Sequence, residues 1–343
     1  MMQTFRISDA LRCILLNAPR GPNFACPRVS LSITTNGWSP AHLPRNTRLW
    51  TETLVQRQDR VTVAWWDGIR FGGLASARSR AGFRVWEVDH LYLPTTPALL
   101  HPNGQWIYCE QEVPYLELLE RLVQLAGGRN AERVFLRLRS GNPVIALARR
   151  VGFFPYFEET LLEGKRAGGQ ASCYGQIAQI SQINNLRKSA DEKTPADSPG
   201  DRRPEDDYGL FQLFSASTPA QVRAALGLTF DQWKDARERH GHGRREWVAR
   251  TNDKIVGWLS LVTRQHIEHG EVMAHPNHPE VLPALMELAL AGGGRQRWLV
   301  PDYQESVGDL LRGQGFQEAA RYAMLIKTVA AQVKSHGMVP LEA

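Results

Sequence analysis

A chain of 343 residues with 43% hydrophobic and 22% charged side chains has the composition of globular protein and is long enough for two ordinary domains. It has no run of about 18 apolar residues, which excludes a membrane-spanning helix, and its first residues lack the apolar core and cleavage site of a secretory leader, so a cytoplasmic protein with no membrane partner is expected. The net charge is +6 and 34 of the 41 basic residues are arginine, but they form no stripe and no recognised motif accompanies them, so nucleic acid is not an expected partner.

Residues 1–52 carry few signals. Residues 11–16 and 29–34 are candidate strands, and 40–56 could include a short helix. Cys13, Cys26, Cys109 and Cys173 show neither a C-x-x-C pair nor zinc-ribbon spacing, and read as free thiols. Residues 61–77 read as a hairpin with a polar turn, with Trp65 and Trp66 as packing residues. Residues 85–93, VWEVDHLYL, form a strand with Glu87, Asp89 and, out of phase, His90 along its polar side. A loop-like insertion, 94–112, precedes a helix that gathers Leu116, Leu119, Leu122, Val123 and Ala126 on one side and closes at Gly127-Gly128.

Residues 133–162, RVFLRLRSGNPVIALARRVGFFPYFEETLL, run strand, turn, helix, Gly-Phe, strand. Pro143 suits the first helical position, Val144, Ile145, Ala148 and Val151 recur at helical spacing, and Gly152 stops the helix. Residues 164–206 are Gly/Ser/Gln-rich and then charged, the composition of a flexible linker. Residues 208–214 read as an apolar strand. Ser217 and then Thr229 cap two helices; strands at 246–249, 255–262 and 266–274 and a helix at 280–291 follow. Residues 297–327, RWLVPDYQESVGDLLRGQGFQEAARYAMLIK, repeat the order of 133–162 up to a second Gly-Phe, and 251–261 resemble the hairpin at 66–77. An internal duplication is the economical reading, with domains at 1–163 and 207–330, a linker at 164–206 and a tail at 331–343.

Strand, helix, Gly-Phe (Gly152-Phe153 and Gly315-Phe316) and strand, present twice, resemble the C-terminal half of the GNAT superfamily of acyl-CoA-dependent N-acetyltransferases. The resemblance covers roughly residues 61–162 and 245–327. It implies an α/β, mixed-sheet (α+β) fold in two tandem GNAT-like domains, acetyl-CoA as co-substrate, and a small-molecule or peptide amine as acceptor. It further implies that the acyl-pantetheine arm lies where the fourth strand (85–93) parts from the fifth (134–138). His90, Leu91 and Leu93, with Arg139 and Asn142 at the end of the fifth strand, are then the cofactor-binding candidates. Glu87 or Asp89 would take the amine's proton, with Glu268 or Glu271 as counterparts in the second half.

The chain departs from the family pattern in two places. Neither half carries the Gln/Arg-x-x-Gly-x-Gly/Ala loop whose backbone N–H groups hold the coenzyme's pyrophosphate. The first half has a lone Gly104 followed by Glu110 and Glu112, and the second has His275-Pro-Asn-His-Pro-Glu-Val. The tyrosine that often protonates the leaving thiolate is replaced by Ala148 and Leu311. At most one active half is therefore expected, the first being favoured for its insertion; the alternative is a catalytically degenerate binding or scaffold protein. Arg137 and Arg139 read as edge-strand charges. His266/His269 and His275/His278 have metal-like spacing, yet on a strand such pairs point to opposite faces, and no metal site is expected.

Overall fold

The computed structural model describes residues 2–4, 58–67, 70–92, 112–142, 144–166, 199–237, 244–264, 266–291 and 294–329. Alternating apolar residues make strands of Arg60–Asp67 (β2), Arg70–Ser79 (β3), Val85–Tyr92 (β4) and Arg133–Arg139 (β5), after a short β1 at Met2–Thr4. Glu112–Gly127 (α1) and Val144–Arg150 (α2) cover one face of these strands, and Phe154–Arg166 (β6) ends the first half. The second half opens with Gly200–Asp201 (β7) and the helices Asp207–Ser217 (α3), Ala220–Leu226 (α4) and Phe230–Ala236 (α5). It continues as Arg244–Thr251 (β8), Lys254–Arg264 (β9), Ile267–Ala274 (β10), Val281–Leu290 (α6), Gly294–Pro301 (β11), Glu305–Gly313 (α7) and Gln317–Thr328 (β12).

The Gly-Phe repeats have one local cause. Gly152 and Gly315 take left-handed backbone angles, φ 90° and 85°, which lets the next N–H turn back on the helix. Phe153 N–H donates to the Ala148 carbonyl and Phe316 N–H to the Leu311 carbonyl, both at 3.0 Å. The phenyl rings then drop into the two cores, 2% and 5% exposed. In the β8–β9 hairpin, Asn252 and Asp253 both have positive φ, 49° and 61°, the two-residue turn whose twist matches its strands.

The halves share one twelve-stranded sheet rather than building two, in the order β1-β2-β3-β4-β5-β12-β6-β11-β10-β9-β8-β7. The centre is an exchange. β12 lies between β5 and β6, antiparallel to both, and β6 lies between β12 and β11. Each half therefore completes its sheet with the other's final strand. The cores follow: Ala323 and Leu325 of β12 sit in the first core with α1 and α2, while Leu162 of β6 sits in the second with α6 and α7. Helices α3 to α5 pack on the opposite face. Leu210, Leu213, Phe214 and Trp233 cover Val248, Ile255 and Trp258, and Val222, Ala225 and Ala236 reach the first half at Val85 and Phe135.

Three expectations change. Residues 208–214 are helical, because Leu210, Leu213 and Phe214 are the buried positions, at helical spacing, in a run too uniformly apolar to reveal its period. The linker is shorter than its composition suggests. Gly164–Arg166 belong to β6, Gly200–Asp201 pair with β8, and Asp206 receives Arg250 Nη2 at 2.8 Å on both oxygens. Arg137 is no edge charge, since β12 covers β5 and leaves it 2% exposed. The elements expected at 11–16, 29–34 and 40–56, the insertion at 94–111, most of the linker and the tail lie outside the described residues. Among the described residues no helix is long and apolar enough to cross a membrane.

Gly270 faces Trp298 across the β10–β11 pair, and a Cβ there would stand 2.5 Å from the indole. Gly270→Val is expected to cost about 1–3 kcal/mol through overpacking. The denaturant midpoint measures it; a wild-type midpoint would mean the ring steps aside.

Candidate functional site

The sheet opens twice. β4 and β5 run parallel and pair at Val85/Arg133, Trp86/Val134 and Glu87/Phe135, after which β4 leaves β5 and continues to Tyr92 along β3 alone. β10 and β11 pair from Ile267/Arg295 to Gly270/Trp298, and β10 then runs on to Ala274. Each fork leaves facing backbone N–H and C=O groups that do not pair with each other, as a ligand acting as an extra strand requires.

In the first fork, Glu87 is 2% exposed and receives Arg80 Nε at 3.3 Å. Arg80 also donates to the Ala236 carbonyl at 2.9 Å and lies 4.7 Å over the Phe135 ring. Asp89 lies 2.6 Å from Arg60 Nη1 and 4.0 Å from Arg78 Nε. The β3 register skips it, Ser76 pairing with His90 and Ala77 with Val88, so Asp89 sits on a bulge. Leu91 is buried in the first core. Arg139 is exposed at the far end of β5, paired with Tyr322. Asn142 accepts the Val144 N–H at 2.9 Å and so caps α2. Leu93 lies outside the described residues. The fork thus gathers Glu87 and Asp89, with the His90 backbone beside them; Leu91 turns to the core, and Arg139 and Asn142 stand apart.

The second fork holds a pocket of about 140 Å³. Glu271 and Met273 of β10 and Leu299 and Pro301 of β11 form its sides, with Tyr303 on the turn after β11. Tyr156 and Glu159 of β6 and Thr218 complete it. A neighbouring pocket of about 170 Å³ shares Phe214, Leu226, Trp258, Glu271 and Met273 with the first and runs on to Trp233, Arg80, Arg237 and Arg244. Glu271 therefore borders both. Glu268, the other carboxylate named from sequence, is held by Arg245 Nη2 at 2.5 Å and Gln296 Nε2 at 3.0 Å.

Electrostatics separate these groups. Burial pushes the Tyr303 phenol far above the usual tyrosine range, and the nearby Glu159 charge adds to it, while the hydrogen bond to Thr218 opposes. Burial likewise raises Tyr156. Burial raises Glu159 too, against the pull of Arg137, whose Nη2 lies 2.8 Å away. At the other end, Arg80 is paired with Glu87, and Arg202, Arg237 and Arg244 share Asp207 and Glu246. With Glu271, these described residues number four arginines and four carboxylates. Burial and then the crowding by Arg244 lower the Arg237 pKa.

Sequence reasoning named Glu271 but missed Tyr303 and the Arg137–Glu159 pair. It sought a tyrosine at Leu311, whereas this one sits eight residues earlier on the turn that ends β11. Among the described residues no group of His, Cys, Asp and Glu could hold a metal ion.

Of the parts a bound coenzyme A would need, the described residues supply parted strands beside which an extended arm could lie. The start of α6 fits its phosphates poorly, because Glu280 stands at the cap and its Oε1 lies 2.9 Å from His278 Nδ1, with no glycine in the turn.

No family model and no curated protein matches the chain. Among solved structures, a GCN5-related N-acetyltransferase from Sphaerobacter thermophilus superposes with a TM-score of 0.50 at 15% identity, covering 96% of this chain and 95% of that one. A tandem GNAT protein from the clavulanic acid biosynthesis pathway gives 0.48 at 14% identity, over 96% and 98%. At that identity the likeness to the Sphaerobacter protein is one of architecture, and by it the chain has the mixed α/β fold of a GCN5-related N-acetyltransferase.

Proposed function

We propose that the chain is an acyl-CoA-dependent N-acyltransferase, built by tandem duplication with exchange of the final strands, and that the second fork is its working half. The observation that carries this is the pocket in that fork, where Glu271 and Tyr303 border one space just past the point at which β10 and β11 stop pairing with each other. Acetyl-CoA, the simplest donor, would supply a thioester carbonyl carbon open to attack by an amine. Glu271 accepts a proton as a primary amine becomes the neutral nucleophile. The C–N bond forms and the C–S bond breaks, and the Tyr303 phenol holds the proton that the departing sulfur needs. The amide nitrogen's surplus proton restores it through water. Raised by burial, the phenol stays protonated across the ordinary pH range, so a kcat profile without a basic limb below about pH 10 is expected.

Glu271→Gln and Tyr303→Phe should each lower kcat about 10²-fold or more with acetyl-CoA and an amine. Glu87→Gln and Asp89→Asn test the first fork in the same assay. If those two abolish turnover and the second-fork variants do not, the reaction belongs to the first half. The acidic start of α6 favours a second reading, a binding or scaffold protein that keeps the fold without the chemistry. A melting-temperature scan against acetyl-CoA and desulfo-CoA separates the two, since only a ligand of the folded state raises the midpoint. No shift and no turnover would leave the scaffold reading standing.

A further inference from the structure

The pocket beside the second fork has a composition of its own. Trp233, Trp258 and Phe214 wall it, and guanidinium groups lie over two of those rings, Arg237 at 5.0 Å from Trp233 and Arg244 at 5.6 Å from Trp258. Glu271 lines both this pocket and the one in the fork. An apolar cavity of roughly 150 Å³ takes one benzene ring, and this pocket is about 170 Å³. It is sized for a ring with a short polar extension.

The charges narrow the choice. Among the described residues the arginines and carboxylates here are equal in number, so a ligand with a single net charge would unbalance a half-buried set of ion pairs. A zwitterion adds no net charge. It also matches the two kinds of charge in the lining, because a carboxylate suits the planar guanidinium forks and an ammonium suits Glu271. Arg237 donates through Nη1 to Asp207 at 3.1 Å, and a guanidinium has five N–H donors.

We infer that this pocket binds a free aromatic α-amino acid, with its ring among the tryptophans, its carboxylate toward Arg237 and Arg244, and its amino group at Glu271. Resting on the acyltransferase reading, this assigns the acceptor: the amine held at Glu271 borders the fork where the thioester would lie.

The test is calorimetric titration of the full chain, with and without desulfo-CoA, using L-phenylalanine, L-tryptophan, 3-phenylpropionate and L-phenylalaninamide. The two amino acids are expected to bind at least tenfold more tightly than the propionate, which lacks the amine, and the amide, which lacks the carboxylate. Arg237→Gln should weaken L-phenylalanine tenfold or more and leave L-phenylalaninamide unchanged; Glu271→Gln should bring L-phenylalanine down to the propionate. Equal affinity for 3-phenylpropionate and L-phenylalanine, or no heat from any probe in both conditions, would overturn the assignment. The wild-type series decides this even if a variant fails to fold. Amino-acid binding without turnover would sink the acyltransferase reading alone, and a coenzyme-induced shift without amino-acid binding would sink this inference alone.

Discussion

Expressed without residues 317–343, the chain is expected to lose the first core along with the second. β12 pairs with β5 from Tyr322/Arg139 to Thr328/Arg133, and Leu325 is fully buried beneath α1 and α2. Its removal strips both β5 and β6 of a neighbour and leaves two apolar strand edges facing water. The same reasoning covers a cut inside 167–198. Residues 1–198 and 199–343 made separately should each fail to give a cooperative melt, and made together should copurify as a folded pair. Size-exclusion chromatography and circular dichroism read both outcomes. A soluble first fragment with a sharp unfolding transition would show that the exchange is dispensable.

The second large effect is expected at Arg137. Its guanidinium and the Glu159 carboxylate are 2% and 4% exposed, side by side on the face beneath α4. Removing one partner strands the other in low dielectric, and Arg137→Met should cost about 3–5 kcal/mol near pH 8. The cost depends on pH with a definite sign. Burial already holds the folded Glu159 pKa above its ordinary 4.5, so Glu159's contribution to stability is full below that value and is lost as pH rises through the folded pKa. Without Arg137 the folded value rises further, and the loss deepens at neutral pH. Below about pH 4.5 Glu159 is protonated in both states, so the difference between variant and wild type should shrink to a packing remainder. Arg137→Met with Glu159→Leu should recover most of the loss at pH 8. A cost that stays the same from pH 8 to pH 4 would mean that the ion pair is not what Arg137 contributes.

Much of the fold was legible because the chain states it twice. Gly152-Phe153 and Gly315-Phe316 require a left-handed residue at a helix end, and the residues around them carry the strand and helix periods that fix the element order. The fork between β4 and β5 was expected only from the family resemblance. The exchange was not legible, since a repeat has the same sequence whether each half closes on its own last strand or on the other's. That single ambiguity misplaced Arg137, which β12 buries. Residues 208–214 failed for a different reason: Tyr208, Leu210, Phe211, Leu213 and Phe214 satisfy either period, and only packing on β9 and β10 settles it. At the site, Glu271 was visible as a strand carboxylate. Tyr303 was not, because it gains its setting from Glu159 and Thr218, both remote in the chain.

The trade of closing strands also bears on how the molecule comes into being. Arg133 must wait for Thr328 on one side, so a nascent chain on the ribosome carries one open edge on β5 and another on β6 until β12 has been made. The centre of the sheet therefore closes late, and the time of greatest exposure to aggregation or chaperone capture falls before β12 is made, while β5 and β6 lack the strand that lies between them.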